Sequence, residues 1–297
     1  MREDGQIAPP LETLLPVAQA ARRFDASLCR PLRLADQRIG WVPLDLAPRL
    51  AGFAGVFEER DHAVALAPAL ATPDQRTAAL AVAIGTLVAE GRITGIRHER
   101  YAVRRHFDDP PLFEIERAAA RPFGFTTWAA HVNGVTDGGR SMWIARRSPD
   151  KPIDPGMLDN LVGGGIAAGH GVAGTVVKEC WEEAGIAAPL ARLAQPAGTV
   201  SLLRQVPEGV QSETIFVHDL WLPPEFEPRN TDGEVAGFER VPVAELPQRL
   251  AAGAFTCDSA LVILDFLLRH GHLRPHQPGY GALAAALRGF APGDTEG

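Results

Sequence analysis

One segment constrains this chain more than any other: the glycine-rich stretch GGGIAAGHGVAGTVVKECWEEAGI, residues 163–186. If Val172 to Ala184 is helical and Gly185 ends the helix in the left-handed conformation, Glu179, Glu182 and Glu183 stand at i, i+3 and i+4 and project from one face. Val177, Cys180, Trp181 and Ala184 fall on the opposite face. Three carboxylates on a rigid helix repel one another, and a hard divalent cation such as Mg²⁺ relieves the repulsion by taking oxygen ligands. Taken alone, the glutamates also read as a solvated helix face, because charged pairs are common on exposed helices.

The surroundings of this segment are β-rich. GFTTWAAHVNGV, SMWIARR, GTVSLLRQV, ETIFVHDLWL and GEVAGFERV read as strands separated by Gly, Pro and Asp turns, followed by helices near Val243 to Ala252 and Asp258 to Arg269. Before them lies a smaller α/β unit: a helix over residues 11–24, strand-like pieces at Arg38 to Val42 and Val64 to Leu66, and a helix from Pro73 to Glu90 with a Thr-Pro start and Gly91 at its end. A charged, proline-bearing stretch between Asp108 and Phe123 marks the junction. The expected class is therefore α/β (α+β), with a mixed β-sheet sandwiched between helices over 116–297 and a smaller N-terminal α/β domain over 1–115.

Composition excludes several functions. The chain has 297 residues, 46% of them hydrophobic, and a formal charge of -7, so a disordered tail and a broad nucleic-acid footprint are both poor readings. Cys29, Cys180 and Cys257 show no CxxC spacing, which suggests neither a disulfide framework nor a zinc site. MREDGQIAPP lacks the apolar region of a secretory signal, and no apolar stretch is long enough to span a bilayer. The expected location is the cytoplasm, with no membrane partner. Of the 29 cationic residues only Lys151 and Lys178 are lysines.

In this frame the 163–186 segment resembles the Nudix box, a loop-helix-loop that holds catalytic metal. Gly164, Glu179, Glu182, Glu183, Gly185 and Ile186 match in register. His170 stands where the box has its first glutamate, Lys178 replaces an arginine, and Cys180 replaces an aliphatic residue. The resemblance implies that Glu179, Glu182 and Glu183 are catalytic and hold Mg²⁺, with Mn²⁺ as the alternative ion, and that the backbone carbonyl of Gly163 is a further ligand. Upstream, IARRSPDKPIDPGMLDNLVGGG is similar to Nudix proteins of the isopentenyl-diphosphate isomerase type, which implies a diphosphate-binding pair at Arg147 and Lys151, with Arg146 alongside. The cysteine that isomerase chemistry requires falls on Gly163, so hydrolysis of a diphosphate linkage is the better assignment.

DLWLPPEFEPRNTDGEVAGFERV and FTCDSALVILDFLLRHGHLRPHQPGY resemble a narrower branch, Nudix proteins with an N-terminal α/β extension related to the Nudix portion of fungal thiamine pyrophosphokinase. That resemblance implies thiamine diphosphate or its oxidised forms as substrates. Glu234, in the DGEV turn, is a candidate additional base or ligand, or simply a polar turn residue. Trp128, Trp143 and Trp221 can turn an aromatic face toward a ligand, though such residues are more often core. The histidines at 270, 272 and 276 read as structural. The expected function is Mg²⁺-dependent cleavage of a small organic diphosphate. The alternatives are hydrolysis of a nucleoside-diphosphate-linked compound of the ADP-ribose type and a Nudix binding module with weakened catalysis. The N-terminal unit is open to three roles: covering the active site, forming a homodimer contact or enlarging the core.

Overall fold

The computed structural model describes residues 9–288, so most of the MREDGQIAPP segment lies outside the described residues. A short helix α1 (Leu15–Ala20) precedes strands β1 (Cys29–Leu34) and β2 (Gln37–Pro43), helix α2 (Ala47–Ala51), strands β3 (Phe57–Arg60) and β4 (Ala63–Leu66), and helix α3 (Pro73–Ala89). The strands form a sheet in the order β2-β1-β4-β3. The Thr-Pro signal works as expected at α3: the Thr72 hydroxyl accepts the Gln75 N–H while the Gln75 side chain accepts the Thr72 N–H, a reciprocal cap. A two-stranded ribbon of β5 (Arg100–Val103) and β6 (Phe113–Glu116) packs on this unit. Its core runs from Leu32 through Leu80 and Leu87 to Phe113, Phe123 and Phe125.

The second sheet is built from β7 (Thr126–Thr136), β8 (Ser141–Arg147), β9 (Leu158–Asp159), β10 (Val162–Gly165), β11 (Gln195–Val206), β12 (Gly209–Trp221) and β13 (Val235–Pro242). Its main path is β11-β12-β7-β8-β13, with β10 pairing on β7 and β9 on β8. Only β12 and β7 run parallel, so the sheet is mixed. Strand alternation then sends neighbours to opposite faces. Ala129, Ile215 and Val217 join the core under α7 (Cys257–Arg269), whereas Ala130, Val132 and Leu220 join the core under α4 (Val172–Ala184). Helices α5 (Ala188–Ala191), α6 (Leu246–Ala251) and α8 (Tyr280–Arg288) complete the two outer layers. The expected mixed sheet between helices is present.

Two features depart from simple reading. Helix α1 packs away from the N-terminal sheet: Leu11, Leu14, Ala18 and Ala21 are buried in the core that contains α7 and α8. On α4, the helical phase places the buried stripe at Val176, Cys180 and Ala184, while Trp181 is 56% exposed. Trp181 therefore does not belong to the packed face. The acidic face adjoins the buried stripe because Glu183 is one turn from Cys180 and two turns from Val176.

Candidate active site

Helix α4 ends because Gly185 takes φ 64°. The Gly185 N–H donates to the Trp181 carbonyl at 3.0 Å and the Ile186 N–H to the Cys180 carbonyl at 2.9 Å, and Ile186 is buried beyond the turn. This cap fixes the rotation of the helix, and with it the direction of its glutamates. Glu183 reaches under β10, where its Oε2 accepts the Gly163 N–H at 2.8 Å. Burial pushes its carboxyl well above the usual carboxylate range, and Asp159 and Glu179 add to the effect against the opposing Gly163 N–H and Lys151. Glu179 lies against Gly164, where any Cβ would overlap its carboxyl. Burial also raises Glu179, in spite of Lys178 beside it. Lys178 Nζ donates to Glu179 Oε1 at 2.9 Å and to Glu182 Oε2 at 2.7 Å. Burial pulls the lysine down, but the bonds to two carboxylates outweigh it and hold its pKa above the ordinary value.

Glu179, Glu182, Glu183, Gly163, Arg147, Lys151 and Glu234 all line one cavity. Arg146 does not. It alternates with Arg147 across the end of β8, and its guanidinium donates outside to the Gly156 carbonyl at 2.9 Å. Arg147 donates to Asp159 at 2.7 Å and to the Ile153 carbonyl at 2.9 Å, which clamps the loop that carries Lys151. Lys151 in turn pairs with Glu234, whose second oxygen lies 4.0 Å from Arg97. Burial would raise the Glu234 carboxyl, but Lys151, Arg97 and Arg117 bring it below the usual range.

Other sequence candidates lie elsewhere. His170 is exposed, with Nδ1 3.2 Å from the Ala168 carbonyl. Trp128 packs on Phe107 and Phe216, Trp221 lies edge-on to His270, and none of the three tryptophans lines the cavity. His270 bonds Asp219 at 2.9 Å.

Sequence reasoning missed the contribution of the N-terminal unit, whose packed core includes Ala119, Ala120, Phe123 and Phe125 and so extends past residue 115 to take in the segment that carries Arg117 and Arg121. Arg97, Glu99, Tyr101, Arg117 and Arg121 all line the cavity, and no local pattern marks them in an arginine-rich chain. Tyr101 is keyed to β10, since a Cβ at Gly165 would overlap its hydroxyl. The Ala168 N–H donates to the Arg100 carbonyl at 2.8 Å, so β5 also holds the loop before α4. His131 was missed too, although a signal existed: His131 and Asn133 are polar residues two apart in an apolar strand run. A Cβ at Gly163 would come within 2.9 Å of the His131 ring. Its Nδ1 lies 2.9 Å from Asn160 Oδ1, Asn160 donates to Asn133 at 2.8 Å, and Asn133 donates to Asp219 at 3.0 Å. A buried polar chain thus crosses the core from the cavity to α7.

Among the described residues, no three His, Cys, Asp or Glu side chains stand close enough to grip a metal ion as they are placed. The donor chemistry nevertheless fits a hard divalent cation. Three carboxylates open on one cavity, two are raised by burial as uncompensated acids are, and the Lys178 ammonium supplies positive charge between Glu179 and Glu182. Ten acidic and six cationic described residues line the cavity, so an anionic substrate needs further positive charge to enter.

A NUDIX domain family matches residues 126–258, and a domain of unknown function, DUF4743, matches residues 13–127. Nudix hydrolase 24, chloroplastic, of Arabidopsis thaliana is 41% identical over 263 residues, which is 87% of this chain and 72% of that protein. The chain belongs to the Nudix hydrolase family. Nudix hydrolase 20, chloroplastic, of the same plant is 38% identical over 270 residues, again 87% of this chain and 72% of that protein. Among solved structures, the MutT protein of Methanosarcina mazei has a TM-score of 0.40 at 17% identity, covering 49% of this chain and 95% of that one. Nudix hydrolases generally work with divalent metals, in keeping with the carboxylate donor set. No described helix of this Nudix hydrolase is long and apolar enough to cross a membrane.

Proposed function

We propose that this Nudix hydrolase is a Mg²⁺-dependent pyrophosphohydrolase of small organic diphosphates, with thiamine diphosphate and its oxidised forms first among them and Mn²⁺ as the alternative ion. The observation that carries the reading is the meeting of Glu179, Glu182 and Glu183 with Arg147 and Lys151 on one cavity. Glu179, Glu182, Glu183 and the Gly163 carbonyl would hold the metal, which when bound polarises phosphate and activates water. Glu183, whose proton affinity is raised by burial, is the candidate proton acceptor. Lys151 exchanges Glu234 for a substrate phosphate, which frees the Glu234 carboxylate as a second acceptor. Arg147 keeps the Lys151 loop in place through Asp159 and the Ile153 carbonyl. The cavity continues into a second lobe whose lining includes Phe125, Pro152, Ile153 and Val210, with Gln211 and Glu213 among its polar groups beside the arginines it shares with the first lobe. That lobe suits a compact organic group carrying hydrogen-bond donors. The same proposal places the enzyme in the cytoplasm, with small-molecule partners rather than nucleic acid or membrane.

A panel of diphosphates assayed with Mg²⁺ and Mn²⁺ tests this. Release of inorganic phosphate from thiamine diphosphate supports it, whereas selective turnover of ADP-ribose to AMP and ribose phosphate replaces it with the nucleotide-linked alternative. Lys178, bonded to two of the three box glutamates, favours one further reading, a binding module with weakened catalysis. Under that reading the wild type is inactive across the panel, as is the His170→Glu, Lys178→Arg double variant.

A further inference from the structure

Each cavity-lining cation that the box comparison points to has a carboxylate partner, and of these only Lys151 gives up its partner to substrate in the proposed reaction. Arg147 is bound at 2.7 Å to Asp159 and at 2.9 Å to a backbone carbonyl, and Lys151 is paired with Glu234. Lys178 is shared by Glu179 and Glu182. The other three cations lining the cavity, Arg97, Arg117 and Arg121, come from the N-terminal unit. Arg117 is spent as well, since it pairs with Glu99 at 2.7 Å and lies over the Tyr101 ring at 5.5 Å. Arg97 and Arg121 differ. Their closest carboxylates, Glu234 and Glu208, stand at 4.0 Å and 3.4 Å, beyond the 2.7–2.9 Å of a charge-assisted bond. Both face the cavity where its two lobes meet, because each lines both lobes. The unit that carries them is fixed to the box by the Tyr101 contact with Gly165 and by the Arg100 carbonyl bond to Ala168.

We infer that Arg97 and Arg121 are the principal protein ligands of the substrate's diphosphate, so that the N-terminal unit forms half of the substrate site. Their forked guanidinia bridge phosphate oxygens at the junction of the lobes, between the box carboxylates and the organic-group lobe. This inference rests on the diphosphatase reading for its substrate.

The experiment uses the full chain as Arg97→Ala and Arg121→Ala, with Arg92→Ala as the control. Arg92 belongs to the same unit, pairs with Glu90 and does not line the cavity. Thermal melting verifies the fold of each variant. Calorimetry with imidodiphosphate and Mg²⁺ gives a binding readout, and steady-state kinetics on the best diphosphate of the panel separates KM from kcat. Loss of about tenfold or more in imidodiphosphate affinity, with KM raised by a similar factor and kcat within about threefold, is expected for each arginine. Arg92→Ala behaves as wild type. Wild-type affinity and KM in both arginine variants overturn the inference, as does failure of the wild type to bind imidodiphosphate. If the wild type binds imidodiphosphate yet hydrolyses nothing, the proposed function falls, and the binding comparison alone decides the role of the arginines.

Discussion

Glu183 is held by packing in the place where the proposed chemistry needs a carboxylate. Its carboxyl accepts the Gly163 N–H at 2.8 Å, and burial and neighbouring acids raise its proton affinity. Glu183→Gln keeps an oxygen for that N–H, so the fold should hold while kcat falls by about a hundredfold or more. Steady-state rates beside a melting curve check this, and a kcat within threefold of wild type removes Glu183 from the proposed chemistry. Asp219 is the opposite kind of acid. Burial alone would raise it, but Arg269, Asn133 and His270 bond its carboxylate and bring it below the ordinary range. A depressed carboxyl contributes stability that is present above its unfolded value, roughly pH 4, and is lost as pH falls through the folded value. Asp219→Asn should therefore cost about 2 kcal/mol at pH 7, and the gap in Tm from wild type should close as pH drops below about 4. A gap that stays constant from pH 7 to pH 3 would exclude this account.

At the scale of elements, the glycine run of β10 is a socket. Gly163, Gly164 and Gly165 receive the His131 ring, the Glu179 carboxyl and the Tyr101 hydroxyl, each in space that a Cβ would fill. The three contacts come from β7, α4 and β5, so one short strand registers the box helix against its own sheet and against the β5-β6 ribbon. Gly165→Ala should lower stability by about 1–3 kcal/mol through overpacking and depress activity as the N-terminal unit shifts. Adding Tyr101→Phe removes the overlapping hydroxyl and should recover part of both losses. Denaturant midpoints for the two single variants and the double variant supply the comparison, and strictly additive losses would show that Tyr101 and Gly165 are not coupled. Much of this element was legible in the sequence, since the Gly185 cap and the i, i+3, i+4 spacing placed the glutamates. The rotation that exposes Trp181 and buries Val176 was not, because helical phase alone does not say which side the sheet will cover.

At the scale of the whole molecule, the chain is laced together at both ends. Leu14, just before α1, and Ala18 within it are fully buried beside α7 and α8, although just over a hundred residues of N-terminal sheet, helix and ribbon follow α1 before β7 begins. Leu14→Ala should cost about 2–4 kcal/mol, measured by urea unfolding of the full chain. A chain starting at residue 126 should melt well below the full chain, since it leaves the α7 and α8 faces uncovered; an equal Tm would show that α1 is dispensable. By itself the sequence determined the five long strands β7, β8, β11, β12 and β13, the helices α3, α6 and α7, the mixed-sheet class and the acidic box helix α4. Those follow from local periodicity, caps and spacing, which neighbouring residues specify. Only the tertiary structure decided which cations face the cavity. It turned Arg146 out through strand alternation, committed Arg147 and Lys151 to Asp159 and Glu234, and brought Arg97 and Arg121 to the site from the segments before β5 and after β6. Those outcomes depend on contacts between residues far apart in the chain, which no local pattern encodes.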